Sequence, residues 1–246
     1  MKKQFAQLVM LIIVFGALLI GSGCAFIDKQ VVLNKVHADQ IAKVDNSNLI
    51  VKVGMPEDNR GKNPNFIGYV RNGYGIHTAD VNMNKPVSLW VQEIIISNLE
   101  KAGIKVQSLN DNSGGNDGIF VETKIAKLSC DIGTQYKADI NLLIKLKNRG
   151  SVVLNEVYLG QAAKVNWWGG ASGYSEITEK AMKLCISKLM PELIKTIKAS
   201  EKSIQKLNKI TKSSDLKIDK KLVSSVNTKP KEVKSKKKNE LPAFLK

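Results

Sequence analysis

Apolar and polar residues alternate most regularly between Tyr136 and Lys147. Tyr136, Ala138, Ile140, Leu142, Ile144 and Leu146 are apolar, and of the intervening Lys137, Asp139, Asn141, Leu143, Lys145 and Lys147 only Leu143 is not polar. A period of two puts alternate side chains on opposite faces, so this stretch predicts a strand with one face buried and one in water. Asn148-Arg149-Gly150 predicts a hairpin turn, and Ser151 to Trp168 the returning strand. Upstream, Ile119 to Ile132 predicts a long strand whose apolar parity switches near Ala126, as a β-bulge would make it do. Leu49, Val51, Val53 and Met55 alternate in a first strand, and Ile104 to Leu109 makes a short one.

Helical periodicity occurs twice. Val87, Trp90, Val91, Ile94, Ile95 and Leu99 form a stripe that starts after Pro86 and stops at Gly103. Ile177, Ala181, Leu184, Cys185, Leu189 and Ile197 form another, with Ser175 as its cap and Pro191 as the site of an expected kink. Glu57 to Lys85, with Gly61, Gly68, Gly73 and Gly75, reads as a long glycine-rich loop, and such loops tend to carry function. The order is strand, helix, four strands, helix. It predicts an α+β two-layer sandwich: a mixed, mostly antiparallel sheet of about five strands, with two helices on one face.

Both ends of the chain depart from this periodicity. Lys2 and Lys3 precede an uncharged apolar run from Leu8 to Ile20, followed by Gly21-Ser22-Gly23 and Cys24. The run would span about 20 Å as a helix, against a hydrocarbon core of about 30 Å, which favours a cleaved export signal over a permanent span. With Cys24 at its end, the stretch resembles a bacterial lipoprotein signal, although Gly21 stands where that pattern prefers Leu. The resemblance implies lipidation of Cys24 and a membrane partner through the lipid. Ala25 in place of an inner-membrane-retaining Asp implies the periplasmic face of the outer membrane. The sequence then divides into a signal over 1–23, a lipidated tether over 24–47, a domain over 48–199 and a tail over 200–246. Its one apolar knot, Val31-Val32-Leu33, allows it to lend an edge strand, and as a flexible coil the tether would reach roughly 25–30 Å.

Charge changes the picture mainly in the tail. The chain carries +16, and Ser200 to Lys246 alone holds 14 Lys against five acidic residues. Such a run reads as a solvated, disordered arm. Export would put nucleic acid out of reach, which leaves an envelope polyanion or a protein as its partner.

Candidate chemistry is sparse. With Cys24 lipidated, Cys130 and Cys185 remain, either as a disulfide in an oxidising compartment or as two separate buried thiols. His77 has Asp80 three residues on, but no Ser or Cys nucleophile motif lies near. No Cys or His pair has metal-ligand spacing and no glycine-rich phosphate loop follows a strand, so no metal and no cofactor are expected. Tyr69 and Tyr74 in the long loop, with Trp168 beside Gly169-Gly170, are the candidate binding surface.

Scattered residues also show a resemblance. They are Val53 with Asp58-x-Arg60, Ile67-Gly68, Leu89 through Gln92-Glu93 to Leu99, Gly103, Val106, and Tyr136-Lys137-Ala138-Asp139-Ile140. Over about Asn48 to Ile197 the chain resembles the YajG-type bacterial envelope lipoproteins. That resemblance implies a lipid-anchored periplasmic domain with no catalytic residue to carry over. The leading expectation is a non-enzymatic domain that binds or scaffolds an envelope component. The alternative is an auxiliary subunit of a lipid-transport or export machine.

Overall fold

The computed structural model describes residues 27–44, 49–72, 74–111, 118–165 and 171–225, with side chains through Lys206. The expected Cys24 and Trp168 sites, and the tail beyond Ser225, lie outside these residues. Among the described residues the fold is a mixed α+β arrangement of two helices and a nine-stranded sheet, with four more strands than the sequence pattern predicts.

The sheet is built on β7 (Ile119–Ile132). One flank of β7 pairs antiparallel along its whole length with β8 (Gln135–Asn148), which pairs in turn with β9 (Ser151–Val165). The register slips between Ile125 and Lys127, where the parity switch at Ala126 predicts a bulge. Arg149 (φ 49) and Gly150 (φ 80) make the β8–β9 turn in the left-handed region, as a tight hairpin turn of that twist requires.

Three short strands share the other flank end to end, all parallel to β7. β2 (Ile50–Val53) meets Ile119–Val121, β3 (Glu57–Asp58) meets Lys124 and Ile125, and β4 (Phe66–Arg71) reaches Ile132. β4 pairs antiparallel with β5 (His77–Met83), and β5 pairs with β1 (Lys29–Val31). Helix α1 (Val87–Lys101) follows β5 and leads into β6 (Lys105–Ser108), which pairs with β2 in parallel as the first strand-helix-strand unit predicts, with β3, β4 and β5 inserted before the helix.

The long loop is therefore a correction, because it holds β3, β4 and β5. Its glycines are punctuation and close-approach points. A Cβ at Gly68 would stand 1.8 Å from the Cys130 carbonyl oxygen, so only glycine lets β4 come up against β7 there.

Where β3 and β4 leave β7 unpaired, Arg60 fills the gap. Its buried guanidinium forks onto Asp58 (Nε–Oδ1 2.7 Å, Nη2–Oδ2 2.6 Å) and donates through Nη1 to the carbonyls of Phe66 and Leu128. Burial opposes charge on Asp58, but the guanidinium outweighs it and holds the carboxyl below its ordinary value. The Asp58-x-Arg60 motif is thus a clamp that stands in for missing ladder rungs.

Helix α2 (Ala171–Ser225) begins four residues before Ser175, the expected cap, and carries Pro191 in its interior. It packs on β8 and β9. Tyr174 meets Tyr136 edge to face, and a Cβ at Gly160 would stand 2.0 Å from the Ala181 carbonyl. Five of the six residues expected on its apolar face are buried, while Leu184 is 41% exposed. Two compact units meet between Glu201 and Lys202.

The expected tether is the second correction. Residues 27–44 form a strap laid across both helices, with Val31, Leu33, Ala38 and Val44 buried. Trp90 Nε1 donates to the Asn34 carbonyl, and the Asn34 N–H donates to Glu179 Oε1. Fully buried Asn98 accepts from the Ala38 N–H and donates to the Val36 carbonyl. Beyond β1, which pairs with β5, the strap has no partner strand, and side chains of α1 and α2 supply partners for its backbone groups.

Candidate functional site: the β4–β5 end of the sheet

β4 and β5 carry a cluster of aromatic and cationic side chains. Tyr69 is at its centre, 4.7 Å from the Phe66 ring and 4.5 Å from His77, edge-on to the latter. Lys62 and Arg71 both lie over the Tyr69 ring, at 5.7 and 5.4 Å, and Lys62 Nζ donates to the Tyr69 hydroxyl. The negative face of an aromatic ring attracts a cation placed over it. Arg71 is also 3.8 Å from Asp131, and His77 Nε2 is 2.9 Å from Asp80 Oδ1. Sequence spacing predicts the His77–Asp80 contact, but both side chains are about half exposed and neither faces a nucleophile.

Tyr74 is not part of this cluster. It is 92% exposed at the hairpin tip, with Ile76 at 61%. Asn72 holds the tip: its Oδ1 accepts from the N–H groups of Tyr74 and Ile76, its N–H donates to the Ile76 carbonyl, and Gly75 donates back to its carbonyl. With its backbone satisfied internally, the turn presents its two large side chains outward.

The other candidates separate. Cys130 and Cys185 are free thiols, so the disulfide is a correction in favour of separate buried thiols. Cys130 is on β7, while Cys185 covers Tyr158 on β9, with β8 between those strands. Burial pushes each thiol up to about 12. An open cavity of about 330 Å³ lies elsewhere, lined by Lys137, Asp139, Gln161 and the alanines beside them. Among the described residues no three His, Cys, Asp or Glu side chains converge as a metal site, and no helix is long and apolar enough to cross a membrane.

No family profile matches the chain, and no curated protein matches it. Solved structures do. A Xanthomonas campestris protein of the DUF330 family is 13% identical, with a TM-score of 0.52 over 71% of this chain and 99% of its own. That likeness shows the fold, shared with uncharacterised bacterial proteins. A hypothetical protein from Chlamydia trachomatis is 8% identical (TM-score 0.41, 63% of this chain and 98% of its own). A candidate neuraminyllactose-binding hemagglutinin homolog from Helicobacter pylori is 12% identical (TM-score 0.36, 72% and 100%).

Proposed function

We propose that the chain is a non-enzymatic, lipid-anchored domain on the periplasmic face of the outer membrane, where it binds or scaffolds an envelope component. The observation that carries the reading is the strap. Residues 27–44 are packed onto α1 and α2, so the folded body begins a few residues after Cys24. The resemblance to YajG-type lipoproteins and the signal ending in Cys24 support the same reading.

The test is metabolic labelling with a palmitate analogue, followed by fractionation. Wild type is expected to carry label in the membrane fraction and Cys24→Ser to carry none. Equal labelling of the two overturns the anchor. Cross-linking in the intact envelope then separates a solitary binder from a subunit of a transport machine, which would give one stoichiometric protein adduct.

A further inference from the structure

Three exposed apolar residues gather at one end of the sheet: Ile27 (60% exposed), Tyr74 (92%) and Ile76 (61%). The topology places them together. β1 runs parallel to β5 with Lys29 opposite Val81, and just before it the Asp80 N–H donates to Asp28 Oδ1 at 2.9 Å. Ile27 therefore precedes β1 on the side of the start of β5, where the Asn72–Ile76 turn lies.

Only three peptide units separate Ile27 from Cys24, at most about 11 Å of extended chain. From the level of Ala79 to Ile76 is a similar distance, about 10 Å along a strand. We infer that this end, made of Ile27, Tyr74 and Ile76, is a membrane-docking surface that rests in the headgroup layer of the bilayer holding the Cys24 lipid. The inference rests on the lipid-anchor reading.

Chain length selects this occupant. An anchor held so close to the tip leaves no room for a soluble partner between the tip and the lipid. The chemistry agrees, since a tyrosine with an apolar ring and a polar hydroxyl suits the boundary between headgroups and acyl chains. Arg71 at the base of the turn donates to the Gly75 carbonyl and can meet a lipid phosphate.

The test uses the full lipidated chain reconstituted into vesicles of phosphatidylethanolamine and phosphatidylglycerol at about three to one. An environment-sensitive thiol probe is placed at Tyr74→Cys, with Ile76→Cys as a second site in case the first disturbs the turn. Val152→Cys, 53% exposed at the far end of β9, is the reference. Cys130 and Cys185, buried, stay unlabelled. The expected result is flotation of all three proteins, with brominated lipid quenching the probes at 74 and 76 several-fold more than the probe at 152. Flotation with equal, weak quenching at all sites overturns the docking surface and leaves the anchor standing. Failure to float overturns both.

Discussion

The two flanks of β7 are held in different ways. On one side β8 pairs with it from Ile119 to Ile132, interrupted by a single bulge at Ala126, and the hairpin to β9 continues the ladder. On the other, β2, β3 and β4 each cover a few residues, and Arg60 fills what they leave open. The first flank depends on repeated apolar burial. The second depends on a few specific polar contacts and on Gly68. A regular ladder tolerates change at any solvent-facing rung, while a patched one concentrates its stability in a few side chains. The exposed aromatic site lies on the patched flank, where strand ends and turns are available.

Substitutions on each side sharpen this contrast. Leu142 is fully buried between Ile125 and Tyr158 in the ladder, and Leu142→Ala should cost about 4 kcal/mol in a denaturant melt. A loss below about 1 kcal/mol would mean that the helices do not cover this face.

Arg60→Ala should cost about 3 kcal/mol, because it strands Asp58 and leaves two carbonyls without a donor. The effect should depend on pH. Asp58 is held below its ordinary value of 3.8, so its contribution is present above that pH and lost as pH falls through the folded value. The gap between wild type and variant should therefore narrow in acid. A gap of constant size would show that Arg60 acts through its carbonyl contacts alone.

Asn98→Ala should cost about 2 kcal/mol by leaving the Ala38 N–H and the Val36 carbonyl buried without partners. It should also raise hydrogen exchange across residues 31–44, ahead of the sheet. Lys145→Ala, on the solvent face of the ladder, should stay within about 0.5 kcal/mol. A larger loss would break the comparison, because the regular flank would then depend on specific polar contacts too.

The same contrast explains what was readable in the sequence. β7, β8 and β9 carry their signal locally, as period-two alternation, a parity switch and an Asn-Arg-Gly turn, and all three were legible. Ala79, Val81 and Met83 alternate just as well in β5, but the glycines and polar residues around them read as loop. Of their partners, β1 has only three residues, and β4 lacks alternation, with Gly68 at its centre reading as a loop break. The strap shows only one apolar knot, and its fixing contacts lie far away at Asn98 and Glu179. No local pattern encodes them. Of the candidate site, Tyr69 and Tyr74 were identifiable as aromatics among glycines. Their separation into a cation-flanked ring and an exposed tip depends on the β4–β5 register, which the loop reading lacked.

The spine of the sheet is also late in the chain. β2, β3 and β4 precede their partners on β7 by 62 to 68 residues, whereas β8 and β9 follow theirs through tight turns. Closing such long loops is slow, and hairpins close quickly. In a chain that emerges from its N-terminus, β4 can pair with β5 and β2 with β6, but the edges of β2, β3 and β4 that face β7 stay unpaired until β7 has appeared. The meander then forms within its own sequence and becomes the template on which the older segments assemble, so the half of the molecule made first is the half completed last.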